Sequence, residues 1–314
     1  MTDADSKLVE MLDRIMDPGV STNTLTKLCK GGERDTMCYI AKHLSTPTDI
    51  LTKLSEVDDF ELILAVSENP STPVSVLNRL LEISGGMTET PSISAEARTE
   101  LFGGKSYRIH CNIARNPSIP AEMLRVFAAN RESIVRASTA ENPNCPLDML
   151  AKLSKDPDPD VRARVSGRKD LSPDIVYRLA HDEKWQVRIG IAEGANLTQE
   201  LMFFLAQDSN MWIRAAIAER ESLPQKLITK LAHDEKWQVR EVIANRKDLV
   251  LKQVLFLARD DDISWVRAAI AGNLNCPVEA LTRLADDKDP HVRETLFKNP
   301  SCPDHIKVLL SIAE

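Results

Sequence analysis

The chain has 314 residues, 43% hydrophobic but only 4% aromatic, and a formal net charge of −7 with a pI near 5.5. That acidic balance weighs against a surface that grips nucleic acid or anionic lipid over its whole extent, since both need a basic footprint. No run approaches the roughly 18 apolar residues of a membrane span, and the start MTDADSKLVE is polar and acidic. Neither a span nor a signal peptide is therefore expected. A cytoplasmic location is the default, with the six cysteines reduced.

Residues 1–16 read as a short amphipathic helix, with N-cap candidates at Asp3 and Ser6 and with Leu8, Met11, Leu12 and Ile15 on one face. Its expected role is to cap the open edge of a repeat array. From about residue 17 a 26-residue frame runs. Leu25, Leu51 and Leu77 keep that step, as do Leu28, Leu54 and Leu80, and Pro47 and Pro73. The frame continues through Pro120, Pro146, Pro173, Pro224, Pro277 and Pro303, with slips of one residue and gaps at the units holding Thr198 and Val250. Ten units and a truncated eleventh from Asn299 can be counted. One break stands out: Pro73 to Pro120 is 47 residues, one period plus 21, and the excess lies at 84–104, bracketed by Gly85 and Gly86 and by Gly103 and Gly104. Its middle predicts a short helix, Ala95–Phe102. The segment reads either as a tolerated surface insertion or as a loop that reaches a groove or a partner.

The unit is written most clearly at HDEKWQVR, which occurs at 181–188 and again at 233–240, with QDSNMWIR and DDISWVR as variants. Val161, Val187, Ile213, Val239, Val266 and Val292 hold one apolar slot. In full, the unit reads N-P-x-x-P, then x-x-x-L-x-x-L-A, an Asp turn, and V-R-x-x-I-A. Proline in the first helical turn costs nothing, because that N–H has no helical partner. The leucines give one buried stripe over two turns, and the Asp turn breaks one helix and caps the next. Ala beside Ile, as at Ile191 and Ala192, lets neighbouring helices approach closely. Helices this short are unstable alone, so stacking must hold them. A fixed period in the twenties signals a solenoid, here an all-α one built from two-helix repeats.

This frame resembles the leucine-rich-repeat variant family. The match is carried by 142–146 with Leu150, Leu153, Val161 and Arg162, and by 273–277 with Leu281, Leu284, Ala285, Val292 and Arg293. It covers nearly the whole chain from residue 17. The resemblance implies a right-handed superhelix in which α-helices alternate with short, partly 3₁₀ helices, one α-solenoid over 17–314. The D-x-x-x-x-V-R element is also similar to HEAT repeats. Some relatives carry an iron–sulfur cluster in a Cys-rich N-terminal segment. Here only Cys29 and Cys38 lie near the start, so no cluster and no other cofactor is carried over. Neither family has one shared activity, so the resemblance implies a fold and leaves the function open.

Two columns bear on function. Arg136, Arg162, Arg188, Arg214, Arg240, Arg267 and Arg293 form either a basic strip for phosphates or a structural ladder. The ladder reading pairs the last six with the Asp six residues before: Asp156, Asp182, Asp208, Asp234, Asp261 and Asp287. Their matched spacing favours the ladder. Trp185, Trp212, Trp237 and Trp265 occupy four consecutive units just before the V-R pair. They read either as packing between repeats or as an aromatic strip for a peptide or stacked bases, helped by Lys184 and Lys236.

The cysteines do not spell a metal site. Cys145, Cys276 and Cys302 share one slot before Pro, and Cys29 and Cys38 lack short ligand spacing. His181 and His233 are equivalents two repeats apart. No phosphate loop, nucleophile elbow or H-E-x-x-H occurs. The expected function is a non-catalytic scaffold that binds a protein or peptide on the Trp-bearing edge. Two alternatives stand beside it. One is a nucleic-acid-binding solenoid such as a HEAT-like DNA glycosylase, suggested by recurring Trp and Asp. The other is self-association through the C-terminal end, where Val308, Leu309 and Ile312 have no following repeat to cover them.

Overall fold

The computed structural model describes residue 17 and residues 19–31, 33–85, 95–194, 196–259 and 261–312. The capping helix expected over 1–16 and residues 86–94 of the insertion lie outside them. Every regular element among the described residues is an α-helix. The chain divides into two compact units, Met1–Val165 and Ser166–Glu314.

Both units repeat one two-helix module. In Leu147–Leu153 the first helix buries Met149, Leu150 and Leu153. Pro146 sits one position before the helix, at the N-cap, and its carbonyl accepts from Met149 and Leu150. Proline suits this place because it fixes the extended entry and needs no donor. Pro47, Pro73, Pro120, Pro224 and Pro277 do the same, while Pro173 is inside the first turn. Where proline is missing another cap stands in. The Thr198 hydroxyl accepts from the Leu201 amide at 3.4 Å, and the Gln253 side chain accepts from the Val250 amide at 3.0 Å. The helices expected to be partly 3₁₀ are α-helical, with i→i+3 bonds confined to ends, as from Asp156 to Leu153. The apolar stripe requires the α repeat, since a threefold helix would rotate it away.

The second helix carries the tightest packing. Val161, Val187, Ile213, Val239, Val266 and Val292 are each fully buried, as are Ile191, Ile217, Ile243 and Ile270 and the alanine after each. Small residues are required where backbones touch. A Cβ on Gly190 would fall 2.2 Å from Ser166 Oγ and 3.1 Å from the Gly167 nitrogen, both within Ser166–Glu314.

The insertion is not wholly surface. Its helix Ala95–Phe102 ends in a 2%-exposed Phe102, edge-on to Phe60 with ring centroids 6.1 Å apart. Gly103 and Gly104 then take positive φ and return the chain to the frame at Ser106–Arg115.

Two positions break the slot chemistry in Met1–Val165. Thr36 occupies the apolar slot of its unit, 1% exposed, and its hydroxyl has no hydrogen-bond partner. Thr36→Val is expected to raise stability by about 1 kcal/mol, since it removes an unsatisfied buried hydroxyl at nearly constant volume; a lower urea midpoint would contradict this account. His110 fills an Arg slot, is buried, and meets Ser84 Oγ at 3.0 Å. Burial, with Arg131 adding repulsion, pushes it down to about 4 from 6.5. Between those values protons bind the unfolded chain preferentially, so stability falls as pH drops through this window and levels off below it. We expect His110→Gln to flatten the slope of stability between pH 6.5 and about 4, an effect on the order of 3 kcal/mol in the wild-type chain. Urea unfolding as a function of pH measures it.

Candidate functional site: the arginine ladder and the tryptophan edge

Each ladder arginine lies in the first turn of a second helix, and five of them, Arg136, Arg188, Arg214, Arg240 and Arg267, bond in two directions. The Nη1 donates to the carbonyl of the residue six before, as from Arg188 to Asp182 at 2.7 Å and from Arg293 to Asp287 at 2.7 Å. In those five, Nε and Nη2 grip the carboxylate of the following repeat. Arg136 holds Asp156 (2.7 and 2.7 Å), Arg188 holds Asp208 (2.6 and 2.9 Å) and Arg214 holds Asp234 (2.7 and 2.7 Å). Arg240 holds Asp261 (2.6 and 2.8 Å) and Arg267 holds Asp287 (2.6 and 2.9 Å).

The pairing expected from spacing is thereby corrected. The Asp six residues before each Arg offers its backbone oxygen, and the carboxylate partner stands 20 or 21 residues later. The cause is local. The Oδ1 of each Asp already accepts the amide two residues on, as Asp234 does from Lys236 at 2.9 Å. That bond turns the carboxylate toward the preceding repeat, where the waiting fork is planar and bidentate. Burial works to raise Asp208 and Asp287, but Arg188 and Arg267 together with backbone amides hold both carboxyls below the ordinary range.

The far end of the second helix has its own fastening, which the sequence reading did not find. The Asn of N-P-x-x-P is buried and donates to the last carbonyls of the preceding repeat's second helix. Asn142 reaches the Ala114 oxygen at 2.7 Å and Asn116 at 2.9 Å, and Asn299 reaches Ala271 at 2.7 Å. In Ser166–Glu314 arginine also stands in its place, as at Arg220 and Arg246. Arg220 reaches the Ala192 oxygen at 2.8 Å, and Arg246 reaches Ala218 and Arg220 at 2.7 and 2.6 Å while its other edge holds Asp248. The signal was the recurrent Asn before Pro, but the 28-residue reach of its side chain is visible only in three dimensions.

The tryptophans are not core. Trp185, Trp212 and Trp265 are 42%, 53% and 55% exposed, and Trp237 is half-buried. Nor do they form one strip. Trp212 and Trp265 stand one residue before the buried slot, Trp185 and Trp237 two before, and successive helical residues diverge by about 100°. Trp265 packs on His291 of the next repeat, centroids 4.7 Å apart. Lys184 and Lys236 lie exposed beside Glu183 and Glu235 at 3.6 and 3.8 Å, loose surface pairs.

The remaining candidates resolve into packing. His181 and His233 stack on Phe204 and Phe256 at 4.1 and 4.0 Å, each with Nδ1 at 2.8 Å from a carbonyl. Cys145, Cys276 and Cys302 are buried free thiols, and burial pushes Cys276 up to about 12. Among the described residues no three His, Cys, Asp or Glu form a metal-binding group, and no helix is long and apolar enough to cross a membrane. Val308 and Leu309 are exposed on the last helix, Asp304–Ile312.

The ladder makes a direct prediction. Asp234→Asn keeps the cap on Lys236 but leaves the Arg214 guanidinium, 8% exposed, with only the exposed Glu235 at 3.6 Å as counter-charge, and should cost about 3 kcal/mol. Adding Arg214→Met should recover most of that loss. Chemical denaturation measures both; a double variant as unstable as Asp234→Asn would show that the rung does not act as a pair.

No family model matches the chain, and no curated protein matches it. Among solved structures, it is similar to a leucine-rich repeat variant with a novel repetitive motif, at 22% identity and TM-score 0.55, covering 78% of this chain and 88% of that one. An engineered protein aligns over 95% of this chain and 98% of its own, at 14% identity and TM-score 0.32. A designed armadillo repeat protein aligns over 97% and 99%, at 14% identity and TM-score 0.15. The last two likenesses are too distant to add to the argument. The chain is an all-helical repeat solenoid with the fold of the leucine-rich repeat variant.

Proposed function

We propose that the protein is a non-catalytic cytoplasmic scaffold that binds a protein or peptide on the tryptophan-bearing edge of Ser166–Glu314. The observation that carries this reading is the exposure of Trp185, Trp212 and Trp265 in a chain whose interior is built from aliphatic residues. Large exposed indoles on stacked, stapled helices form a preorganised surface, and little ordering opposes binding there. Lys184, Lys236 and the half-buried Trp237 flank that surface. Against a phosphate-binding strip stands the neutralisation of the guanidinium forks at Arg136, Arg188, Arg214, Arg240 and Arg267 by aspartate. The same bonds occupy the carboxylates that a glycosylase would need as catalytic bases.

The test is panning of a random peptide display library on the full chain, followed by affinity measurements on a Trp212→Ala/Trp265→Ala variant. Both rings are exposed, so the variant is expected to melt within a few degrees of wild type. It should bind the selected peptides about tenfold or more weakly. Equal affinity for wild type and variant would remove the edge as the binding surface. Salt-sensitive gel shifts with duplex DNA would favour the nucleic-acid reading instead.

A further inference from the structure

The second helices of Ser166–Glu314 share one outward face. Counted from the buried slot, the positions one before, two and three after, and six after lie together, because they are separated by three or four residues. In Met211–Glu219 these are Trp212, Ala215, Ala216 and Glu219; in Trp185–Gly194 they are Gln186, Ile189, Gly190 and Glu193. Ser264–Gly272 contributes Trp265, Ala268, Ala269 and Gly272. Between them Trp237–Ala244 contributes Gln238, Glu241 and Val242, so small residues hold the middle of this face only locally, at Ala215, Ala216 and Ala268, where they are buried and let neighbouring helices approach. The aromatic margin and the acidic margin of the face are two turns apart, about 10 Å. Glu219 and Glu221 border two open clefts of about 590 and 580 Å³ at the acidic margin, and Glu193 joins them in the second.

The carboxylates of this margin are not spent on internal ion pairs. Among the described residues Glu193, Glu219 and Glu221 have no cation within ion-pairing distance. The arginines at the clefts are engaged: Arg220 on the Ala192 carbonyl, Arg246 on the carbonyls of Ala218, Arg220 and Glu221 and on the Asp248 carboxylate. The positions equivalent to Glu219 in Met1–Val165 are paired, Glu68 with Lys42 at 3.0 Å and Glu141 with Arg115 and Arg164 at 2.5 and 3.0 Å. In Ser166–Glu314 the remaining equivalents are Asn245, Gly272 and Lys298, which pairs with Glu294, so the unpaired carboxylates are concentrated at Glu193, Glu219 and the adjoining Glu221.

We propose that the segment bound at the tryptophan edge is cationic: an extended Lys- or Arg-bearing stretch, its charges on Glu193, Glu219 and Glu221 and its alkyl or cationic groups on the exposed Trp212 and Trp265. This rests on the binding-edge reading above and adds the partner's chemistry. Indole faces attract cations as well as apolar groups, so both margins select the same side chains. An acidic segment meets repulsion at the carboxylates, and a neutral one leaves them without a partner.

The probe is a fluorescent peptide of about twelve alternating Lys and Ala residues, long enough to cross three repeats. Peptides with Gln or Glu in place of Lys serve as controls, and anisotropy is read on the full chain. The Lys peptide should bind about tenfold or more tightly than the Gln peptide, with affinity falling as salt rises. Glu193→Gln/Glu219→Gln/Glu221→Gln should lose most of that preference. Removing three carboxylates from the other unit, by Asp49→Asn, Glu56→Gln and Glu122→Gln, should leave it intact. Glu219→Lys alone, at an exposed position, supplies an independent arm and should weaken only the Lys peptide. Equal binding of the Lys and Gln peptides, with both lost on Trp212→Ala/Trp265→Ala, overturns the cationic partner while the edge stands. A preference equally reduced by the distant triple variant overturns it as non-specific attraction. Failure of every peptide, including display-selected ones, overturns the edge itself.

Discussion

Five ladder guanidiniums, those of Arg136, Arg188, Arg214, Arg240 and Arg267, belong to two repeats at once. In each, one nitrogen closes the turn of its own repeat on a carbonyl, while the other edge takes the carboxylate of the repeat that follows. Helices of seven to ten residues do not persist in water without partners, so a bond that serves turn and neighbour together addresses the central weakness of the architecture. The charges are buried, and their burial is tolerable because the fork and the carboxylate satisfy each other and the capping amide as well.

The opposite end of each second helix is held by a different chemistry with the same logic. A buried Asn, or an Arg in its place, donates to carbonyls that a helix end leaves open. Between the two fastenings runs a column of Val or Ile, Ile and Ala with almost no exposed surface. Second helices such as Met211–Glu219 are thus fixed at start, middle and end, and none of the three fastenings uses an aromatic residue.

That economy bears directly on function. Since the repeat needs no indole inside, the four tryptophans are surplus to packing, and three stand in solvent. Since the repeated arginines are neutralised in place, the charge that a partner meets comes from outside the repeat consensus, from Glu193, Glu219 and Glu221 in one unit and from paired ions in the other. The recurring residues build the stack, and the non-recurring ones give each face its character.

Periodicity along the chain was enough to determine the repeat, its two helices, the buried slot at Val187 and its equivalents, and the coupling of Arg with Asp as a repeated theme. These depend on spacing, and spacing is a property of the linear chain. What it could not decide was direction. Arg214 lies six residues after one Asp and 20 before another, and only the folded turn shows that the first carboxylate faces backward and the second faces the fork. Likewise the one-residue offset between Trp212 and Trp237 looks trivial in sequence, yet it turns the two positions by about 100° around their helices. Thr36, Phe102 and His110 were silent for the same reason: their burial is set by neighbours that packing brings together, and the order of residues does not encode which way a side chain reaches across to the next repeat.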